Sequence, residues 1–372
     1  MKKLFILGVL ALSFSALFAQ QTTVALLNHE GTISTFYGAE ALVQAHKAAT
    51  DGDVITLSGG AFTAPSSWTK VVTLRGAGCY EGDENTREVT TIGNAFKLAI
   101  PTTTEATTTI EGIHFKEGFT FSTKVKNTTF LKCYFAGIVS NVCRNTNFYN
   151  CVLASGLNFS GNNTDLADVN LFNCYVTDPT NSSSYVSAKF TNCIVRFSQT
   201  STTSSGECIL DLKYAKYNNC IFVGNRYDYY KQEHPSSINI PTTCNATYCL
   251  SCYCAYQKES DTQDAIYDYN VFDEMSNTTN KYLEEGTPIA EAIKSVFKTY
   301  NGTDGFTFHE SYELTDEAKA TYLGSDGTQI GIYGGMGFEL VPSTLQITKC
   351  EVSPRATKDG KISVSIEVGI PE

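Results

Sequence analysis

One six-residue pattern recurs five times down the middle of this chain, and it limits the possible architectures more than any other feature. It reads FLKCYF at 130–135, FYNCVL at 148–153, LFNCYV at 171–176, FTNCIV at 190–195 and YNNCIF at 217–222. A Cys-less version, IEGIHF, stands upstream at 110–115. From Cys133 to Cys151, Cys174, Cys193 and Cys220 the steps are 18, 23, 19 and 27 residues. A repeat near 20 residues, built from short strands, is the signature of a solenoid. The uneven steps are loop insertions between conserved strand segments. The internal geometry agrees. Residues i and i+2 of a strand share a face, whereas i and i+3 do not. Cys and the apolar residue two places later therefore point inward together. The aromatic three places before Cys joins them only if the chain bends between the two.

Asn150, Asn173, Asn192 and Asn219 stand at that bend. Asn tolerates the left-handed backbone a sharp corner needs, and Gly112 tolerates it better. Lys132 departs from this rule and weakens its coil. Coils stacked about 4.8 Å apart place equivalent residues in ladders. An Asn ladder is expected to pass amide hydrogen bonds from coil to coil at the corner. Cys133, Cys151, Cys174, Cys193 and Cys220 then behave as small buried hydrophobes. The competing reading is a run of disulfides, which parallel-pointing side chains disfavour.

The flanks divide the chain further. Lys2 and Lys3, an apolar run over 4–18 and Ala19 before Gln20 read as a signal peptide over 1–19, which implies export to the periplasm, the cell surface or the medium. No later stretch is long and apolar enough to span a membrane as a helix. Residues 38–50 are Ala-rich and helical in character, and are expected to cap the N-terminal end of the core. Asp51, Gly52 and Asp53 break that helix before the strand at 54–57. Pro342 closes the solenoid region, 35–340. Beyond it, 345–352 and 361–368 alternate like two strands of a C-terminal hairpin within 343–372.

The formal charge is −11, and −13 once Lys2 and Lys3 are lost with a leader. Nucleic acid is excluded as a partner, because phosphate binding needs clustered Lys and Arg. The acid pairs Asp165 with Asp168 and Asp264 with Asp268 lack a glycosidase or lyase signature, and surface solvation accounts for them. No nucleophile elbow is present. No cofactor is implied. An insertion over about 223–265 holds Arg226, Tyr227, Asp228, Tyr229 and Tyr230, whose mixed aromatic and polar character suits sugar or protein recognition. It also holds Cys244, Cys249, Cys252 and Cys254, downstream of His234. Disulfides, reduced thiols and a zinc site remain open for these four cysteines.

Two segments carry a family resemblance. ALVQAHKAATDGDVITLSGG, at 41–60, resembles the opening of pectate-lyase-like right-handed parallel β-helix proteins. YELTDEAKATYLGSDGTQIGIYGG, at 312–335, resembles their closing segment in exported Bacteroidetes members. The resemblance implies the fold and says little of activity. The expectation is an exported, all-β, non-catalytic β-helix that binds a glycan or a protein partner at the cell envelope. The alternative is a divergent polysaccharide lyase or glycoside hydrolase.

Overall fold

The computed structural model describes residues 23–80, 89–101, 106–122, 125–142, 144–159, 168–181, 188–196, 208–209, 212, 215–224, 238–239, 245–253, 296–300, 305–342, 346–352, 358–361 and 364–369. Within them the chain winds into a parallel β-solenoid of three sheets with eleven, nine and five strands. Each of the six-residue segments straddles one corner. Its first half lies in the first sheet, as in Thr128–Leu131, Thr146–Tyr149, Val169–Phe172, Ala188–Thr191 and Lys216–Asn218. Its second half lies in the second sheet, as in Tyr134–Phe135, Val152–Leu153, Tyr175–Thr177, Ile194–Arg196 and Ile221–Gly224. The third sheet follows with Phe96–Leu98, Phe119–Phe121, Val139–Val142, Leu157–Phe159 and Pro179–Asn181.

The bend falls where the repeat requires it. Asn150, Asn173, Asn192 and Asn219 have φ of 52°, 51°, 53° and 55°, and Gly112 has 65°. Lys132, at 52°, turns the same corner despite its side chain. The left-handed turn brings Phe130, Phe148, Leu171, Phe190 and Tyr217 inward in register beneath Ile110, and all are buried. Aromatic rings stack along the axis. Phe130 lies 4.9 Å from Phe148, Phe115 5.0 Å from Phe135, and Phe96 5.0 Å from Phe119, each pair nearly parallel.

The cysteines of the repeat are buried and free. Each thiol donates weakly to a backbone carbonyl, as Cys193 does to Thr191 (3.3 Å) and to Leu171 one coil up (3.4 Å). Burial is the leading influence on these thiols, and it pushes Cys174 and Cys220 upward. The row is longer than the repeat shows. Cys249 is buried beneath Cys220, after Tyr248 has turned the corner with φ 53°.

The N-terminal end is closed as expected by a helix, Ala41–Ala48, whose Ala41, Leu42 and Ala45 are fully buried. His46 belongs to that buried face. Its ring lies 4.5 Å from Trp68, and Nε2 accepts the Thr69 N–H at 3.2 Å. Trp68 is itself buried and bridges to Leu98, which places it inside the first coils. The solenoid also begins earlier than residue 35. Strands Val24–His29 and Thr32–Tyr37 form an antiparallel hairpin, whose first strand pairs with Val54–Leu57 and whose second ends the first sheet.

Two expectations need correction. The Asn corner is not an amide ladder throughout. Only Asn219 reaches its neighbour, donating to Asn192 Oδ1 at 3.4 Å. Asn173 Nδ2 instead donates to the carbonyls of Ile332 (2.8 Å) and Gly334 (2.5 Å). The reason is a second chain segment on the outside of the corner, and amide ladders form elsewhere, between Asn145 and Asn127 and between Asn170 and Asn147. The second correction concerns the segment expected to close the C-terminal end. Residues 322–342 run back along the corner as a strap. Ser325 N–H donates to Asn219 Oδ1 (2.8 Å), Gly331 N–H to the Asn219 carbonyl (2.8 Å), and Lys132 Nζ to the Val341 carbonyl (2.5 Å). Pro342 ends against Gly112. The strap needs glycine for this approach: a Cβ on Gly334 would lie 1.9 Å from the Gln329 carbonyl oxygen and 2.2 Å from Asn192 Nδ2.

Candidate recognition face

The outer surfaces of the three sheets differ in what covers them. On the second sheet, Val152, Tyr175, Ile194, Ile221 and Leu250 point away from the tube yet are buried. They form a second hydrophobic core with Val296, Phe297, Tyr300, Tyr312, Leu314, Ile330 and Ile332. The short helix Asp316–Thr321 belongs to this cover, and Thr315 caps it by accepting the Ala318 N–H at 3.1 Å. Tyr175 and Tyr300 share a buried hydroxyl contact of 3.1 Å. Burial pushes both Tyr175 and Tyr312 above the ordinary phenol range. This face is therefore structural.

At its upper rim the cover thins into a half-exposed aromatic cluster. Tyr80 stacks on Phe308 at 4.8 Å, and Tyr134 packs against Phe308 and edge-on to His114, at 4.8 and 4.7 Å. Burial, aided by Lys116, pushes His114 down to about 4, so the ring is neutral at pH 7.

The first sheet presents a different surface. The residue just before each corner faces outward, and register aligns Arg75, Glu111, Leu131, Tyr149, Phe172, Thr191 and Asn218 into one row. Tyr149 and Phe172 are half-buried and lie face to face, with ring centroids 4.9 Å apart and planes 8° from parallel. A neighbouring outward row runs Thr129, Asn147, Asn170, Lys189 and Lys216. Asn170 Nδ2 donates to Asn147 Oδ1 at 2.9 Å, which holds both amides beside the two rings. Both lysines are exposed, and Lys189 lies 3.9 Å from Asp168. The strap borders the row, with Asn218 Nδ2 donating to Ser325 Oγ at 3.1 Å. Glu111 is buried 4.0 Å from Arg75 Nε.

Chemically, this face offers an apolar platform made of a half-exposed stacked ring pair, flanked by oriented amides and two cations. The exposed edges of the stacked rings can pack against the C–H side of a sugar ring, and adjacent amides can bond its hydroxyls. The residues expected to recognise a ligand, Arg226, Tyr227, Asp228, Tyr229 and Tyr230, lie outside the described residues, as do Asp165, His234, Asp264 and Asp268. Of the four clustered cysteines, Cys249 is taken into the buried row. Cys244 and Cys254 lie outside the described residues, and Cys252 is described only as part of the strand Leu250–Tyr253.

The platform does not stand out in the sequence, because the repeat pattern is carried by the inward positions. The signal was the residue immediately before each corner Asn: Tyr149 and Phe172 interrupt a position held elsewhere by Thr191 and Asn218. No helix among the described residues is long and apolar enough to cross a membrane. No family model matches the chain, and no curated protein matches it.

Proposed function

We propose that this chain is an exported β-helix protein of the pectate-lyase-like, Bacteroidetes type that binds a glycan at the cell envelope without cleaving it. The observation that carries the reading is the stacked, half-exposed Tyr149 and Phe172 pair beside the Asn147 and Asn170 amides on the first sheet. Extended solenoid faces suit long ligands, and loops between coils supply specificity. The leader over 1–19 and the two segments resembling that family support export and type. The row holds one carboxylate, Glu111, tied to Arg75, where a glycosidase uses two flanking the scissile bond.

The experiment offers the purified protein a panel of plant, host and bacterial polysaccharides. It scores retention, new reducing ends and unsaturated uronate absorbance together. Retention without cleavage is expected. Tyr149→Ala and Phe172→Ala should each weaken it about tenfold, the scale of a well-placed aromatic contact. Replacing Tyr227, Tyr229 and Tyr230 tests the inserted loop separately. Cleavage of any polysaccharide would overturn the non-catalytic reading, and retention unchanged by both platform variants would move the site off the first sheet.

A further inference from the structure

Two backbone edges, each without a further strand among the described residues, complement one another. The first is the strand Thr32–Tyr37, which ends the eleven-stranded sheet and pairs, among the described residues, only with Val24–His29. Gly38 N–H donates to the Thr23 carbonyl at 2.8 Å. Alternation from that bond turns the N–H and C=O groups of Ile33, Thr35 and Tyr37 toward the open side. Proteins guard such an edge with charge, proline or a bulge. This strand, TISTFY, has none of them, and its register with Val24–His29 is unbroken. Instead, its outward face shows Ile33 at 63 % and Tyr37 at 64 % exposure.

The second edge belongs to the hairpin Gln346–Val352 with Val364–Gly369. Among the described residues it is a sheet of its own, with two strands. Two strands alone are marginal in water. The strap fixes where this hairpin starts, because Pro342 ends against Gly112. A strand added beyond Thr32–Tyr37 would lie five spacings above the coil of Thr108–Glu111, about 24 Å away. The four steps from residue 342 to residue 346 span at most about 14 Å. The hairpin therefore cannot reach the open edge of its own chain.

We propose that the terminal hairpin of one copy adds as a strand to the Thr32–Tyr37 edge of a second copy. The hairpin's root and the open edge both lie in the N-terminal half of the solenoid. Two copies laid antiparallel, with those halves side by side, exchange hairpins reciprocally, and the assembly closes at two. Strand addition supplies backbone hydrogen bonds, and the exposed Ile33, Tyr37 and Leu26 add apolar contact.

Light scattering on the eluted protein tests this. The full chain should run at twice its monomer mass. A chain ending at 342 should run as a monomer, and so should Thr35→Pro, which removes an N–H on the open side and leaves the inner ladder intact. Unchanged melting of Thr35→Pro would show that its fold is kept. Mixing the two variants should restore one-to-one pairs, because one carries the hairpin and the other the edge. A monomeric full chain, a Thr35→Pro variant that stays dimeric, or a dimer that survives truncation would each overturn the proposal. Retention of a foreign protein by a monomeric full chain would reassign the edge to that partner and reject self-association.

Discussion

Asn173 and Asn150 hold the same corner position on adjacent coils, yet they should respond differently to the same substitution. Both turn left-handed, with φ of 51° and 52°. Asn173 gives both amide hydrogens to the strap carbonyls of Ile332 and Gly334, whereas Asn150 Oδ1 is buried with no partner. Glycine at either site keeps the turn. Asn173→Gly removes two hydrogen bonds, each contributing about 1 kcal/mol net, and leaves two strap carbonyls to find water, for a loss of roughly 2–3 kcal/mol. Asn150→Gly removes a buried unsatisfied oxygen and should change stability by less than about 0.5 kcal/mol. Asn173→Ala adds the left-handed cost of a β-carbon, about 1–2 kcal/mol, on top of the lost bonds. Urea unfolding followed by fluorescence reads all three, with midpoints compared at constant slope. Equal losses for the two glycine variants would refute the strap as the source of the difference. An Asn173→Ala loss no larger than that of Asn173→Gly would refute the conformational argument.

Other outcomes follow from single contacts. Tyr175→Phe removes the buried 3.1 Å hydroxyl contact with Tyr300 and should cost about 1 kcal/mol in the same assay. Burial, aided by Lys70, pushes His46 from 6.5 down to about 4. Folding therefore favours the neutral ring, and that stability is present above pH 6.5 and lost as pH falls toward 4; a His46→Gln variant should lose this part of the acid slope in melting temperature. The opposite sign holds for His29, which Asp53 raises chiefly through a 2.8 Å hydrogen bond. Its contribution is full below pH 6.5 and fades as pH rises past the raised value, so His29→Gln should flatten the neutral-to-alkaline limb. Cys79, Cys133, Cys151, Cys174, Cys193, Cys220 and Cys249 are buried and free, so mass spectrometry after neutral alkylation should find them unmodified in native protein and modified after denaturation.

The tube was legible in the sequence because its determinants are local. A corner needs Asn or Gly at one place, and the residues around it alternate by strand geometry, so six letters report one bend. Two coils broke the spelling and still formed. Lys132 turns the corner with its ammonium held by Val341, and Tyr248 does so between Ala246 and Cys249, where no aromatic precedes and Ser251 replaces the apolar residue. What sits outside the tube was less legible, because its determinants are non-local. Val152, Tyr175, Ile194 and Ile221 fill the position after Cys with apolar side chains in every coil from Cys151 to Cys220. That row announces a cover, but its partners lie more than 70 residues later, with no periodicity of their own. The platform was hidden for a related reason: Tyr149 and Phe172 resemble core residues until the register shows that they face outward. The N-terminal hairpin carries a weak sequence signal, because VALLNH and TISTFY pair around Glu30 and Gly31, which is not one of the strong hairpin dipeptides.

The strap also bears on the order in which the molecule can be completed. A stack of coils held only by neighbours can grow from any point, and each coil is secure once the next is in place. Here residues 322–342 touch coils from Asn219 back to Gly112, so contacts separated by more than 100 residues are made last. A nascent chain that has emerged through residue 253 has every described coil of the tube and still bares the apolar stripe from Val152 to Leu250 to water. Such long-range closure slows folding. The described solenoid and its cover can become fully compact only when nearly all of the chain has been delivered, which builds a delay between synthesis and locking into the fold.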